Sequence, residues 1–515
     1  MNPMNPKTVV LLGVPFHDVT MNETLDEIDE IIADRTPRYI ATANLDFAAQ
    51  ASQDVELQRI LLDAHLVLCD GTPLIWASRW LSAPLRERVA GSDLTPRLAE
   101  RAAARGHRLF FLGSDEAILN LAKERLEAQY PGVQICGVYS PPHAKLLELD
   151  HEEIERRIRE AKPDVVLVAL GAPKQEKWIY MHYHSLGVPL CIGIGASFDF
   201  IAGKFTRAPV WMRKCGLEWV SRLMQEPRRL FNRYLLDLLF FVRTLRAQKR
   251  LMGKSIEATS EPALSGRPPG IASFQWTGRV DANAVLSRAI PEPLPESGRV
   301  HVILDLSGVT FIDSSGLGLM VKAFKQCKEA GGALILVRPS EVVCDLLRLS
   351  KLDRLLPTAD SVEQAHRLIY LDRVETRAFS EHDRRNHRLI FRCLGELNAS
   401  TAENLRELMQ TKWTQEAAAK ILEIDFTRVD FIDSSGLGCL IRARKMVSAR
   451  DGAELRLTGM NQNLRNVIVL AHLDELLGLA EASTSGSRSL PNRRSGLRST
   501  ASPIGPAPKP RSIGC

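Results

Sequence analysis

Polar side chains gather where two apolar runs of the chain end. The run from Val165 to Leu170 breaks at Gly171, and the run from Val188 to Ile194 leads to Asp199. Both runs have the length of buried strands, and ligands bind beyond the carboxyl ends of strands in parallel α/β sheets. The two ends therefore predict a binding site. The polar residues that follow the first run are Lys174, Gln175 and Glu176.

Two further strand ends carry groups suited to proton transfer. The sequence ATANLDF places Thr42, Asn44 and Asp46 after one predicted strand, and CDGTP places Asp70 after another. A hydroxyl, an amide and a carboxylate at strand ends can orient a sugar hydroxyl and remove its proton. The alternatives are structural: Asn44 and Asp46 cap the next helix, and Asp70 is a turn aspartate before Gly71.

The segment that follows these residues is strongly basic. Lys204 to Arg250 contains 12 basic and three acidic residues, a net charge of +9, whereas the whole chain has +6. Within it, Tyr234 to Leu245 is an apolar run flanked by arginine and lysine, which predicts a helix in the interface of an anionic membrane. The alternative is a core helix that ends in solvent. Nucleic-acid binding is disfavoured, because the arginines alternate with aliphatic rather than aromatic residues.

Composition limits the class of protein and its compartment. A chain of 515 residues exceeds one ordinary domain, and roughly three are expected. Its nine cysteines include no C-x-x-C pair, so neither a disulfide framework nor a zinc site is predicted. The N-terminus is a poor signal peptide, and no stretch approaches the roughly 20 apolar residues that span a bilayer. These features predict a cytoplasmic protein, and the apolar helix predicts a peripheral place on the inner face of the cell membrane.

The elements that must position the polar residues alternate along the first 250 residues. Short apolar runs alternate with longer amphipathic ones, which predicts an α/β fold with a Rossmann-like, largely parallel sheet covered by helices. The predicted strands are Val9 to Leu12, Tyr39 to Ala43, Leu66 to Cys69, Arg108 to Leu112, Gln134 to Val138, Val165 to Leu170 and Val188 to Ile194. The predicted helices are Thr24 to Ala33, Phe47 to Ala64, Ser92 to Ala104, Ala117 to Gln129 and Glu152 to Lys162.

The second half of the chain repeats itself. VTFIDSSGLGLMV begins at Val309 and VDFIDSSGLGCLI begins at Val429, 120 residues later, and FIDSSGLG is identical in both. An apolar strand precedes each copy and a helix and a further strand follow it, which predicts two small homologous α/β domains. A segment rich in Ser, Pro and Gly precedes the repeats. The predicted organisation is a domain with a basic appendage at 1–252, a linker at 253–271, repeats at 272–372 and 373–482, and a disordered tail at 483–515.

Ordered motifs run through nearly all of residues 8–245. They are T-x-N at Thr42 and Asn44, D-G at Asp70 and Gly71, R-x-x-G-x-D at Arg88, Gly91 and Asp93, F-L-G at Phe111 to Gly113, G-x-P-K-Q-E at Gly171 to Glu176, F-D-x-x-x-G at Phe198 to Gly203, and R-A-P followed by G-L-E-W. This set resembles the WecG/TagA/CpsF family of glycosyltransferases. The resemblance implies transfer of a sugar, commonly of N-acetylmannosamine type, from a UDP-sugar to a polyprenyl-diphosphate-linked acceptor, with inversion.

The same resemblance implies roles for individual residues. Asp70 is the implied catalytic base, with Thr42 and Asn44 beside it, and Arg88 and Gln175 are implied substrate contacts. No cofactor is implied, and the first 250 residues contain no D-x-D pair, so no metal is predicted to bridge the diphosphate. Arginines are then expected to offset the charge of the leaving UDP. The remaining substrate-binding candidates are Asp93, Glu176, Asp199, Arg207, Arg222, Arg229 and Arg233.

The two repeats resemble STAS domains, the fold of bacterial anti-sigma factor antagonists. The sequence D-S-S-G-L places a serine at a helix N-terminus, where main-chain N–H groups and the helix dipole favour a phosphate. In the antagonists a partner serine kinase phosphorylates the serine directly after the aspartate, which corresponds to Ser314 and Ser434 here. The alternatives are that Asp313, Asp433 and these serines only cap the helices, and that the domains serve as docking sites for another protein.

Together these features predict a UDP-sugar-dependent glycosyltransferase of cell-surface polysaccharide biosynthesis with two regulatory or docking modules. The competing prediction is a catalytically inactive regulatory protein that acts through phosphorylatable repeats. Members of the family often self-associate, so a homo-oligomer is an open alternative.

Overall fold

The computed structural model describes residues 6–206, 208–209, 212, 218–252, 271–281, 301–372, 378–383 and 387–479. The predictions for Arg207, for the linker at 253–270 and for the tail at 483–515 lie outside the described residues, as does the side chain of Arg229. Ile271, the last residue of the predicted linker, begins a strand.

The described chain starts with an antiparallel hairpin of β1 (Thr8–Leu11) and β2 (Val14–His17). Gly13 makes the turn with a φ of 88°, a conformation that favours glycine. A Cβ there would lie 2.6 Å from the carbonyl oxygen of Ser350, so the turn packs closely on the first repeat. The predicted strand at Val9 to Leu12 therefore forms, but it pairs in this hairpin and does not join the parallel sheet.

A six-stranded parallel sheet forms the centre of the N-terminal domain, as predicted. Three of its strands, which begin at Leu66, Val165 and Leu190, are buried along their whole length, as expected for a parallel sheet with helices on both faces. The strands are β3 (Arg38–Ala43), β4 (Leu66–Cys69), β5 (Arg108–Gly113), β6 (Gln134–Tyr139), β7 (Val165–Ala169) and β8 (Leu190–Gly193). Their order across the sheet is β4-β3-β8-β7-β5-β6.

Four helices of this domain begin after a residue whose side chain caps them: Thr20, Asn44, Asp54 and Asp150. The predicted helix from Phe47 to Ala64 is in fact two helices, because Asn44 caps the first and Asp54 caps the second with a side chain that accepts from Leu57 N–H. The helices are α1 (Met21–Asp34), α2 (Leu45–Ala51), α3 (Val55–Asp63), α4 (Thr72–Trp80), α5 (Gly91–Arg105), α6 (Glu116–Gln129), α7 (His151–Ala161), α8 (Lys174–His182) and α9 (Ser197–Ile201).

The basic segment folds as two helices, α10 (Glu218–Gln225) and α11 (Pro227–Met252). The predicted apolar helix at Tyr234 to Leu245 lies within α11. One side of α11 is buried against the N-terminal domain and the first repeat, and the opposite side carries exposed leucines. The buried side chains are Leu230, Asp237, Leu245, Gln248 and Met252.

Each repeat is a small four-stranded α/β domain. The first has β9 (Ile271–Val280), β10 (His301–Ile312), α12 (Ser314–Glu329), β11 (Leu334–Val337), α13 (Glu341–Leu349), β12 (Thr358–Ala359) and α14 (Val362–Asp372), with all neighbouring strands parallel. The second has β13 (Ala378–Asp383), β14 (Arg388–Leu397), α15 (Ala399–Gln415), β15 (Ile421–Ile432), α16 (Ser434–Ser448), β16 (Glu454–Thr458) and α17 (Gln462–Leu470), and only β13 runs antiparallel.

The two repeats pack differently on the N-terminal domain. The first shares one hydrophobic core with it, in which Val9 and Leu57 join Leu317 and Met320. The second has a core of its own, against which Leu147 of the N-terminal domain is packed. The first repeat is thus joined to the domain by apolar burial, while the second keeps a separate core.

Candidate active site

Four neighbouring strands end together at the carboxyl edge of the parallel sheet. In the order β4-β3-β8-β7 they lead to Asp70, to Thr42 and Asn44, to Asp199 and to Gln175. A Cβ added to Gly71 would lie 3.8 Å from Cβ of Asn44, so the ends of β3 and β4 are in contact. The strand order therefore brings the predicted residues to one edge.

The carboxylate of Asp70 lies in a charged and crowded environment. Arg88 Nη1 is 4.0 Å from its Oδ1, and the main-chain N–H of Gly91 also donates to it. Burial raises the pKa of Asp70 to about 6, and the neighbouring Arg88 opposes that rise. A carboxylate with this pKa is ionised at neutral pH and remains basic enough to accept a proton.

Arg88 holds three carboxylates around its guanidinium. Nη2 contacts Asp93 Oδ2 at 2.7 Å, and Nη1 contacts Glu218 Oε2 at 2.8 Å in addition to Asp70. The predicted pair of Arg88 and Asp93 is therefore brought together. Glu218 was not predicted as a site residue; its only signal in the sequence is the G-L-E-W motif. Because Glu218 is the first residue of α10, its ion pair with Arg88 joins the basic segment to the site.

Thr42 and Asn44 both have structural hydrogen bonds at the edge of the site. Thr42 Oγ1 donates to the carbonyl of Gly193 at 2.8 Å. Asn44 Oδ1 accepts from the N–H of Phe47 at 3.2 Å, so the capping alternative is confirmed for Asn44. Asp46 does not cap α2: its carboxylate pairs with Arg233.

Gln175 and Glu176 are buried in the first turn of α8. Gln175 Nε2 donates to Glu176 Oε1 at 2.6 Å. A Cβ on Gly193 would lie 2.8 Å from Glu176 Oε1 and 2.9 Å from Gln175 Nε2, so the glycine allows both groups to approach β8. Burial raises the pKa of Glu176 to about 8. Glu176 is only 2% exposed, and its predicted contact with substrate stays a prediction.

The other predicted cationic and acidic residues form two separate groups. Asp199 Oδ1 pairs with Lys204 Nζ at 3.1 Å. Nearby, the Arg222 guanidinium stacks 3.7 Å from the centre of the Phe205 ring. Arg233 lies elsewhere, bound to Asp46 on α2, the helix that Asn44 caps.

Large apolar side chains are exposed beside this site. They lie on α4, α10 and α11, and Lys249 Nζ joins α11 to α4 through the carbonyl of Trp80 at 2.8 Å. We call this set the apolar face: Trp76, Trp80, Trp219, Met224, Phe231, Leu235, Leu236, Leu238 and Leu239. In the part of the chain that the structure describes, no helix is long and apolar enough to cross a bilayer. Nor do these described residues include a cluster of three or more His, Cys, Asp or Glu able to hold a metal ion.

The serines of the two repeats lie at the N-termini of α12 and α16. Asp313 caps α12 by accepting from Ser315 and Gly316 N–H, and Asp433 caps α16 by accepting from Gly436 N–H, so the capping role is confirmed for both aspartates. Ser314 is fully buried and Ser434 is 9% exposed. Both serines face the N-terminal domain.

Comparison with known proteins identifies both parts of the chain. Residues 9–255 match the glycosyl transferase WecG/TagA/CpsF family, and residues 240–365 and 380–485 match the STAS domain. The N-acetylglucosaminyldiphosphoundecaprenol N-acetyl-beta-D-mannosaminyltransferase of Bacillus spizizenii is 34% identical over 191 residues, which cover 37% of this chain and 72% of that protein. The protein of the same description from Staphylococcus aureus strain MW2 is 29% identical over 228 residues, which cover 44% and 88%.

Among solved structures, the anti-sigma factor antagonist SpoIIAA in its unphosphorylated form is 22% identical and covers 20% of this chain and 98% of its own, with a TM-score of 0.16. The family matches and the relatives, rather than this structural likeness, identify the N-terminal domain as a glycosyltransferase that is followed by two STAS domains. The chain belongs to the WecG/TagA/CpsF family of glycosyltransferases.

Proposed function

We propose that this protein transfers a hexose of N-acetylmannosamine type from a UDP-sugar to a polyprenyl-diphosphate-linked acceptor sugar in the synthesis of a cell-surface polysaccharide. The single observation that carries the proposal is the Asp70 carboxylate, which lies at the carboxyl edge of the sheet with a pKa raised to about 6. The two relatives are named for a transfer of this kind.

In the proposed reaction Asp70 acts as the general base. An acceptor hydroxyl attacks the anomeric carbon of the donor from the side opposite UDP, and Asp70 takes the hydroxyl proton. The bond between the anomeric carbon and the diphosphate oxygen breaks as the new glycosidic bond forms, and UDP leaves with the electron pair. A single displacement of this kind inverts the anomeric centre. Arg88 holds the Asp70 carboxylate in place and keeps it ionised.

Arginines of the basic segment, Lys204 to Arg250, are proposed to balance the negative charge of the leaving UDP without a metal ion. Arg233 lies on α11 next to the helix that Asn44 caps, and Arg222 lies on α10, the helix that Glu218 fixes to Arg88. Guanidinium groups bind diphosphate oxygens in bidentate fashion. Arg207 and Arg229 belong to the same basic segment and are proposed for the same task.

The apolar face is proposed to bind the inner surface of the cell membrane, where a polyprenyl-linked acceptor is found. Leu236 and Leu239 are 66% and 59% exposed, and Arg243, Arg246 and Arg250 follow them on α11. Exposed apolar side chains beside cationic ones are typical of helices that lie in an anionic membrane interface. The site and this face share α10 and α11, which supports the proposal that the acceptor headgroup binds near Asp70.

The transferase activity is tested by UDP release from a panel of UDP-sugars with a short-chain polyprenyl-diphosphate sugar acceptor. Acceptor-dependent release by the wild type should fall by about 10²–10⁴-fold in Asp70→Asn and persist in EDTA. Asp34→Asn removes a carboxylate that is 51% exposed at the end of α1, beside Arg38 at the start of β3 and thus at the opposite edge of the sheet, and is the matched control. Equal low release from wild type and Asp70→Asn across a broad acceptor panel would support the inactive regulatory protein instead.

Membrane binding is tested by co-sedimentation with anionic vesicles. The triple variant Arg243→Glu, Arg246→Glu, Arg250→Glu should be released, because each reversal replaces an attraction with a repulsion. Lys249 is left unchanged because it holds Trp80. Three reversals at exposed basic residues of other elements give a control with the same net charge: Arg97→Glu, Arg105→Glu and Lys145→Glu. Undiminished co-sedimentation of the α11 variant would refute the proposal.

For the STAS domains we propose Ser434 as the serine available to a kinase of the anti-sigma type; the same prediction for Ser314 has against it that this side chain is fully buried, in a domain that shares its core with the transferase domain. Both serines lie at a helix N-terminus, which favours a phosphate. Phosphopeptide mapping after incubation with such a kinase tests this, and modification at other residues alone would count against it. A measurement of the molecular mass in solution tests whether the protein self-associates.

A further inference from the structure

A single buried amide holds the last two turns of α11. Gln248 is 3% exposed, and its side chain bonds to the hairpin of β1 and β2. Nε2 donates to the Val10 carbonyl at 3.0 Å, and Oε1 accepts from the Leu12 N–H at 3.2 Å. A main-chain carbonyl only accepts and a main-chain N–H only donates, so the amide makes these bonds in one orientation alone.

The first STAS domain bonds the same end of α11. Gln248 Nε2 also donates to Ser314 Oγ at 3.0 Å, and the Ser314 hydroxyl donates to Met252 Sδ at 3.7 Å. Met252 is the last residue of α11, and Ser314 is the first residue of α12. Because Ser314 is fully buried, its hydroxyl serves as a link between the two domains.

Apolar contacts extend this joint. α11 packs on α13 of the first STAS domain, and Leu245 lies in the core to which α13 contributes Val343 and Leu346. A contact away from α11 ties the domain to the transferase as well: Gln58 Nε2 on α3 donates to the carbonyl of Ser350 at 2.9 Å. The first STAS domain therefore stays in place independently of α11.

The first half of α11 carries the exposed leucines of the apolar face. An ion pair between Arg233 and Asp46 holds this half, together with the buried side chains of Leu230 and Asp237. Partly exposed ion pairs contribute only about 0–1 kcal/mol, and helices in proteins owe most of their stability to packing. The position of α11 therefore depends strongly on the joint at its other end.

We infer that the first STAS domain is a built-in support for α11, and that Gln248 is the residue that positions the helix on it. The serine end of this domain then has its partner within the same chain. The consequence for the membrane rests on the proposed function: a helix held at its second half presents its leucines to one side of the transferase domain. Exchange of the helix amides depends on neither activity nor membrane binding, so failure of the inference and failure of the proposed function are distinguishable.

Hydrogen–deuterium exchange of the full-length chain tests the role of Gln248. Gln248→Leu nearly keeps the side-chain volume but leaves a buried carbonyl and a buried N–H of the hairpin without partners. Exchange over residues 241–252 should rise by about tenfold or more, the factor that corresponds to about 1.4 kcal/mol. Unchanged uptake over β7 and β10 shows that both domains stay folded. Gln410→Leu makes the same change at an exposed position of α15 and should leave α11 as in the wild type.

The two repeats supply a matched pair of serine variants. Ser314→Ala removes one hydrogen-bond partner of Gln248 and should raise exchange over residues 241–252 by about two- to tenfold. Ser434→Ala in the second repeat should leave α11 unchanged. In the Gln248→Leu background, Ser314→Ala should add less than it does alone, because the two side chains bond each other.

Gln248→Glu separates positioning from a general loss of stability. The protonated carboxyl can donate to the Val10 carbonyl and accept from the Leu12 N–H, as the amide does, whereas the ionised one has no donor. Burial raises the pKa of such a group. Protection of α11, corrected for intrinsic exchange, should therefore be close to that of the wild type at about pH 5 and should be lost toward about pH 8.

Three results would overturn the inference. They are wild-type exchange over α11 in Gln248→Leu, fully additive effects of Gln248→Leu and Ser314→Ala, and protection in Gln248→Glu that does not change with pH. If Gln248→Leu unfolds β10, then wild-type exchange over α11 in Ser314→Ala overturns it.

Discussion

Glu218→Gln is expected to shift the acid limb of the pH–activity profile to lower pH. Asp70 must be ionised to accept the proton of the acceptor hydroxyl, and its pKa of about 6 means that activity falls as the pH drops through that value. The negative charge of Glu218 contributes to the raised pKa of Asp70. Removing that charge therefore lowers the pKa and extends activity toward acid.

The size of the shift follows from the geometry around Arg88. Two unit charges 4 Å apart interact by about 4 kcal/mol at an effective dielectric constant of about 20, and this energy falls inversely with distance. Glu218 reaches Asp70 only across the guanidinium, through contacts of 2.8 and 4.0 Å, which roughly halves the repulsion. Both side chains are about a quarter exposed, and screening reduces the effect to about 1.4 kcal/mol, or about one pKa unit.

The assay is kcat/KM for UDP release as a function of pH, because this parameter reports the ionisation of the free enzyme. The acid limb of Glu218→Gln should lie about one pH unit below that of the wild type. Glu87→Gln removes an exposed carboxylate next to Arg88 in the sequence and should leave the limb in place. If the acid limb of Glu218→Gln lies at the same pH as that of the wild type, or at a higher pH, the assignment of Asp70 as the base is contradicted.

Two further predictions concern stability. Burial raises the pKa of Glu176 from 4.5 to about 8, so the folded state binds a proton that the unfolded state releases; the free energy of unfolding should therefore fall by up to about 1.4 kcal/mol per pH unit as the pH rises between those values. Urea titrations of wild type and Glu176→Gln should differ in this slope, and equal slopes would mean that Glu176 is not a buried neutral acid. Gly318→Ala should destabilise the chain by about 1–3 kcal/mol, because its Cβ overlaps the backbone of Thr8. Gly438→Ala meets only the flexible end of Met181 and should cost under about 1 kcal/mol, so equal losses of melting temperature in the two variants would contradict the difference in packing.

Most strands of the transferase domain could be predicted because they are buried along all or nearly all of their length. A strand covered by helices on both faces is a continuous apolar run, and the residues at its end follow directly in the sequence. Because β4, β3, β8 and β7 are neighbours, Asp70, Thr42 and Gln175 meet at one edge. The order of strands in a sheet is set only when the chain folds. The sequence therefore predicts polar residues at each strand end separately, and only the structure shows that the four ends lie side by side.

Other features depend on contacts between distant segments. Glu218 is one acid in a basic segment, and its contact with Arg88 exists only because α10 folds back over the sheet. Glu176 was predicted to contact substrate as part of the same motif as Gln175, and that contact stays a prediction. Its burial beside Gly193 depends on a distant strand and could be seen only in the structure. The strands β9 and β14 were not predicted, because parts of these strands are only partly buried and their apolar pattern is interrupted.

The two STAS domains pack on the transferase domain in different ways. The first buries Ser314 completely and shares the core of the transferase domain. Apolar burial contributes about 25 cal/mol per Å² whatever the charge of a side chain, so this domain is a fixed part of the fold. The second has a core of its own and contacts the transferase domain through ion pairs, such as Arg59 with Glu396 and Arg442 with Glu155, and through apolar contacts, such as that of Leu147 with this core. The second domain therefore depends less than the first on apolar burial against the transferase domain.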